Sequence, residues 1–171
     1  MLTGNEVYYP LQVGFEWTYQ LKDGSTYTNK VTVVNSSNPQ EFTMINSMMN
    51  KNQIMRKDGD SYLTDSFEEG TLQTLLKDNL ATGNSWEIKF KANGFDNVLV
   101  MNVKEVGLSK EVNGKTYQNV AMIEAESKML MNGNLMSLNF FTQYYYAKGV
   151  GLILTTSSLG DSQSLINCKI G

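Results

Sequence analysis

Histidine is absent from this chain of 171 residues. The absence excludes Ser-His-Asp and Cys-His catalysis, histidine-ligated zinc and a histidine pH switch. Cys168 is the only cysteine, so no internal disulfide forms and no thiolate cluster serves metal or redox chemistry. It alternates with Ile166 and Ile170 in a strand-like tail and reads as a small buried hydrophobe. Arg56 is the only arginine, which leaves bidentate recognition of phosphate or carboxylate poorly supplied. The formal charge is −3, with no clustered basic surface, and this argues against nucleic acid. No run approaches the roughly eighteen apolar residues of a membrane span. Residues 1–9 carry neither a basic start nor a hydrophobic stretch, so no signal peptide is visible. The chain is either cytoplasmic or a mature form whose leader has been removed, with Met1 then an added start.

Phosphate and dinucleotide fingerprints are also missing, and no cofactor is expected. Asp58-Gly59-Asp60 with Asp65 supplies oxygen donors, but the spacing is not that of a calcium loop, and no metal is expected. The acidic stretch from Asp58 through Asp60, Asp65, Glu68 and Glu69 could host a carboxylate pair for glycan hydrolysis. The plainer reading is a solvated loop leading into a helix.

What is present is turn chemistry. Asp23-Gly24, Asp58-Gly59, Asn93-Gly94, Asn113-Gly114 and Asn132-Gly133 suit the positive φ of tight hairpins. Between them lie alternating or β-branched runs. Phe15, Trp17, Tyr19 and Leu21 alternate with polar residues, and residues 27–34 answer them across the first turn. Asn38-Pro39 breaks the chain before a strand at 42–48. Short strands at 54–57 and 62–64 flank Asp58-Gly59. Later strands are expected at 85–91, 98–106, 115–128, 135–146 (the longest), 151–156 and 162–169. One helix is expected at 71–78, where Leu72, Leu75 and Leu76 recur at helical spacing and Lys77 closes the run.

A faint repeat links Leu11, Gly14, Trp17 and Tyr19 to Leu80, Gly83, Trp86 and Ile88. Either the chain is duplicated, or two strands share the look of any strand entered through a glycine corner. Methionine and aromatic residues are plentiful along the strands. They suit either a plain core or an adaptable apolar pocket.

Two stretches carry a family resemblance. Tyr8-Tyr9-Pro10-Leu11-Gln12-Val13-Gly14-Phe15-Glu16-Trp17-Thr18-Tyr19 resembles the opening of TapB-like secreted lipoproteins of Bacteroidetes. Tyr145-Tyr146-Ala147-Lys148-Gly149-Val150-Gly151-Leu152-Ile153 is similar to the signature near the end of that family. The resemblance implies an upstream export signal with a lipid-modified cysteine, absent from this sequence. It also implies a curved, partly open sheet, distantly similar to the half-barrel of LolA/LolB-like lipoprotein carriers, with a short helix over the concave side. It supplies no catalytic residues.

The expectation is therefore one all-β, mainly antiparallel domain over residues 1–171, a curved and partly open barrel or half-barrel of about ten strands under one short helix. Its expected role is non-enzymatic, at the periplasmic or cell-surface side of the envelope. The candidate partner is an apolar small molecule or lipid on the concave face, with Trp17, Tyr19, Leu72, Leu75, Trp86, Phe140, Tyr144 and Tyr146 as ligand-binding candidates. Membrane contact would run only through a lipid anchor. The alternative is a structural or adhesion domain working through strand edges. The interior discriminates: a continuous apolar cavity fits a carrier, a filled interior a structural role.

Overall fold

In a computed structural model that describes residues 6–170, every regular element is a β-strand. Met1 to Asn5, the beginning of the segment without a visible signal peptide, lie outside the described residues. Twelve strands run in chain order: β1 Glu16–Leu21, β2 Thr26–Asn35, β3 Asn38–Asn46, β4 Lys51–Asp58, β5 Ser61–Thr64, β6 Gln73–Lys77, β7 Ser85–Ala92, β8 Phe95–Val112, β9 Lys115–Met131, β10 Asn134–Ala147, β11 Gly151–Ser157 and β12 Ser162–Lys169. They form one antiparallel sheet in the order β6-β5-β4-β3-β2-β1-β12-β11-β10-β9-β8-β7. Consecutive strands pair from β1 to β6 and from β7 to β12, and the ladder of β1 with β12 joins the two halves. The sheet thus curls into a nearly closed barrel whose one unladdered seam among the described residues lies between β6 and β7.

The turns explain the meander. Asn93-Gly94, Asn113-Gly114 and Asn132-Gly133 form two-residue loops with positive φ at both positions, between 50° and 81°. That is the type I′ geometry whose twist matches the flanking strands. The loop expected at Asp58-Gly59 is displaced by one residue: Asp58 pairs with Ser61, so the loop is Gly59-Asp60. Asn38-Pro39 does not break the chain but opens β3, since Asn35 pairs with Asn38 across Ser36-Ser37. Proline is tolerated there because Pro39 falls in the register shift between the pair of Asn35 with Asn38 and that of Val34 with Phe42, where no ladder bond is needed.

The expected helix at 71–78 is absent, and its leucines lie on β6 and the loop before it. Leu76 faces Tyr62 of β5 and is fully buried, while Leu75 is half-buried. Over so short a run, helical spacing cannot be told from a strand covered on both sides, and two turns of helix are marginal alone. The longest strand is β8, not the one ending at Tyr146.

Bulges bend the long strands. Register shifts separate Val103 from Glu105 and Glu105 from Leu108 along the β8–β9 ladder, and Gly107 and Asn119 there hold φ of 70° and 54°. The extra residues raise the local twist and re-aim the hairpin. Its tip is carried back to the sheet, where Asn113 Nδ2 donates to Leu165 O at 2.9 Å. Val112 and Tyr117 are buried by this return.

One core fills the sheet. Trp17, Tyr19, Val31, Met44, Leu76, Ile88, Ile123 and Ile153 are fully buried. At roughly 1.5–3 kcal/mol per fully buried large apolar side chain, this layer dominates the stabilising side of folding.

Candidate functional site

The interior is organised around a buried tyrosine and tryptophan group held by polar bonds. Chain residues before β1 enter the base of the barrel. Tyr8 N–H donates to Asp78 Oδ1 at 2.9 Å, Tyr9 N–H donates to Tyr62 Oη at 3.2 Å, and Tyr62 Oη–H donates to the same Asp78 oxygen at 2.9 Å. Lys57 forms an ion pair with the other oxygen, and its ammonium lies 4.1 Å from the centre of the Tyr62 ring. The Asp78 side chain is 1 % exposed. A buried carboxylate is tolerable only when paired and hydrogen-bonded, and here each oxygen is engaged.

The Tyr9 ring packs edge-on to Trp17 with centroids 5.1 Å apart, and lies 6.2 Å from Tyr146. Below Leu154, β12 follows β1 and leaves β11. Carbonyls on that side of β11 would lose their ladder partners, and side chains of β1 take them. Trp17 Nε1–H donates to Val150 O and Tyr19 Oη–H to Leu152 O, both at 2.7 Å. Gly149 N–H donates to Val7 O at 2.7 Å. The two stretches that carry the family resemblance are therefore one physical unit, although they stand at opposite ends of the chain.

Burial raises the hydroxyl pKa of Tyr9, Tyr19 and Tyr146 well above the ordinary tyrosine value, with neighbouring tyrosines adding to it. Tyr62 is raised by burial first and by the Asp78 charge second. Tyr27, stacked on Tyr19 at 5.3 Å and hydrogen-bonded to Gln163, is pushed up to about 12 by burial. These hydroxyls stay protonated and act as donors, not as bases.

Of the ligand-binding candidates, the structure brings Trp17, Tyr19 and Tyr146 into one packed cluster. Tyr144, Leu75 and Trp86 are partly buried against it. Leu72 lies in the loop before β6, and neither it nor Phe140 joins the core cluster. The concave surface meant for a ligand is occupied by the protein's own tyrosines and by the residues before β1. The polar network around Asp78 left no signal in the sequence beyond an aspartate after a leucine run.

The repeat is visible in backbone geometry. Gly14 and Gly83 hold φ of 96° and 95°. Gly14 N–H donates to Val31 O at 2.8 Å, and Gly83 N–H to Val103 O at 2.9 Å. Phe15 N–H bonds Gln12 O and Asn84 N–H bonds Ala81 O, each at 3.0 Å. The indoles then differ: Trp17 has its carbonyl, while the buried Trp86 Nε1 has no partner among the described residues. Trp86 stands on β7, which is laddered to β8 on one side and faces the seam on the other. What joins the seam is Gln73, whose amide imitates a peptide group. Its Nε2 donates to Lys89 O and its Oε1 accepts from Lys89 N–H, both at 2.6 Å. Phe67 and Phe90 add a ring contact across the same gap at 6.3 Å.

The acidic stretch does not assemble a site. Asp65 Oδ1 accepts from Ile54 N–H at 2.8 Å, and Asp60 uses its backbone carbonyl to receive Asp78 N–H. No group of three or more acidic or cysteine side chains suited to a metal occurs among the described residues. A half-open groove of about 390 Å³ lies between Leu21, Lys22, Asp23, Asp161, Ser162 and Gln163. Large exposed apolar residues gather at turns instead: Met48 and Met49 between β3 and β4, Phe95 after β7, Met131 and Leu135 around Asn132-Gly133, and Leu159 between β11 and β12. In an antiparallel meander these turns share one end of the barrel. The other end holds the Tyr8-Tyr9 entry.

The fold is thus an up-and-down barrel, nearly closed, with its own N-terminal segment packed into one end. No protein-family model matches the chain, and no curated protein matches it. Two solved structures share the fold. One is a protein assigned as exported, with a YmcC-like fold, from Bacteroides fragilis: 11 % identity over 95 % of this chain and 98 % of the other, TM-score 0.62. The second is a protein assigned as a lipoprotein from Parabacteroides distasonis: 13 % identity over 95 % and 98 % of the two chains, TM-score 0.63.

Proposed function

We propose that this protein is a non-enzymatic module of the cell envelope that works through its surface as a structural or interaction domain. The observation that carries the reading is the tight packing of the aromatic cluster at the base of the barrel. Trp17, Tyr19 and Tyr146 are at most 3 % exposed and are sealed by Tyr9 from the residues before β1. A carrier of an apolar chain would need that volume empty or easily vacated. The apolar rim of turns supports surface work, because scattered single hydrophobes are ordinary but clustered ones mark contact sites.

The envelope location draws on the fold shared with proteins assigned as exported and as a lipoprotein, and on the resemblance to TapB-like lipoproteins. Attachment would then run through a lipid-modified cysteine upstream of this sequence. Lipid extraction and native mass spectrometry of the purified protein test the reading, together with titration by an apolar fluorescent dye. Protein without bound lipid and without a stoichiometric dye site is expected. A co-purifying lipid, or one dye site lost on substituting Tyr144, would restore the carrier reading.

A further inference from the structure

The first part of β10, backed by β9 and β8, rises past β11 as an arm with one free edge. β10 pairs with β9 from Asn134 onward but with β11 only from Thr142. Residues 134–138 therefore have a ladder on one side and a bare edge on the other. The foot of the gap is closed: Ser158 N–H donates to Phe141 O at 2.9 Å, and Phe141 N–H donates to Ser158 Oγ at 3.1 Å. Asn139, at φ 54°, donates its N–H to Ser137 Oγ at 3.1 Å, and the bulge there ends the arm. Above it, alternate N–H and C=O groups of the edge face no other strand.

The arm is apolar on both faces. Met136 lies opposite Met129 on one, Leu135 opposite Leu130 on the other. Leu135, Met136 and Leu138 are 45 %, 51 % and 44 % exposed. From Met129 to Ala147 the sequence has no charged residue and no proline. Natural edge strands are usually blunted by lysine, proline or an inward charge, and this one has none of them. Burial in lipid would not complete it, since a bare strand edge in hydrocarbon leaves peptide groups unsatisfied at several kcal/mol each. The edge calls for another strand.

We infer that residues 134–138 pair antiparallel with the same segment of a second copy, joining the two sheets edge to edge through β10. Across a twofold axis the central residue faces its own counterpart and the residues before it face those after it, so a charge at the centre would meet its like. A segment free of charge and apolar on both faces is self-complementary in this sense. The pairing names the partner for the surface role proposed above and rests on that reading. With so few residues per strand the interface is small, and a weak, concentration-dependent dimer is expected.

Sedimentation of the full chain over a wide concentration range tests this. Wild-type protein is expected to shift from monomer to dimer, and Met136→Lys to weaken the association at least tenfold with an unchanged urea midpoint. In a Cys168→Ser background, Ser137→Cys is expected to form an intermolecular disulfide on mild oxidation much faster than Ser37→Cys, which sits in the distant β2–β3 turn. A wild-type protein that stays monomeric, a dimer indifferent to Met136→Lys, or equal cross-linking of the two cysteines would overturn the inference. So would a monomer that binds phosphatidylcholine vesicles through the arm. A monomer free of lipid and dye would sink the dimer alone and leave the surface-module reading standing.

Discussion

The indole of Trp17 occupies the space that a side chain at Gly151 would need. A Cβ built on Gly151 would stand 3.1 Å from Trp17 Nε1, and the φ of this residue is 116°. Both facts exclude other residues: the left-handed backbone disfavours any Cβ, and the indole cannot retreat without losing its bond to Val150 O. Gly151→Ala is expected to destabilise the protein by about 2 kcal/mol or more. Trp17→Phe leaves the partly buried Val150 O without its donor and should cost about 1–3 kcal/mol. Urea unfolding followed by tryptophan fluorescence or circular dichroism measures both.

Asp78 is the polar keystone of the barrel base. Asp78→Asn should cost about 3 kcal/mol, because it leaves the Lys57 ammonium, whose side chain is 19 % exposed, without its counter-charge. Much of the loss should return in Asp78→Asn/Lys57→Met, where no charge remains to be buried. A double-mutant cycle by urea denaturation measures this, and additive losses would contradict it.

The buried tyrosines make alkali the vulnerable side of the pH range. Their hydroxyl pKa values are raised in the folded state, so the unfolded chain releases protons first. Stability is fully present below the unfolded tyrosine value near 10 and falls as pH rises above it. Phenolate absorbance should therefore rise in two stages. The more exposed tyrosines titrate reversibly, and Tyr9, Tyr19, Tyr62 and Tyr146 ionise together only as the barrel unfolds. A single smooth titration with retained sheet signal would contradict this.

The seam should be the softest part of the wall. Gln73→Ala removes both bonds to Lys89. Because both bonds are exposed to solvent, the global cost should be only about 1 kcal/mol. Hydrogen exchange at Lys89 and its β7 neighbours should quicken far more than on β1 or β12. Gln73→Glu keeps an acceptor for Lys89 N–H but loses the donor to its carbonyl, and should fall between.

Local chemistry made much of this fold legible in the chain. Asn93-Gly94, Asn113-Gly114 and Asn132-Gly133 mark hairpins because few other pairs accept positive φ at both positions. The glycines at 14 and 83 marked equivalent corners for the same reason. The leucines at 72, 75 and 76 misled, since eight residues hold too few periods to separate helix from strand. The site was less readable. The ring stack of Tyr9, Trp17 and Tyr146 depends on strands far apart in sequence, and no local pattern announces it. Likewise the bare edge at 134–138 appears only once β11 is seen to stop pairing at Thr142.

The ladder between β1 and β12 also sets an order of events. Glu16 pairs with Lys169 and Leu21 with Gln163. β1 therefore has only β2 beside it until almost the whole chain is present. Hairpins can form locally and early, but the barrel wall is completed by contacts of the greatest sequence separation the chain allows. Such topologies fold slowly. Until β12 arrives, a strand bearing Trp17 and Tyr19 stands open to the wrong partner. The chain is thus at greatest risk of aggregation just before its last strand docks.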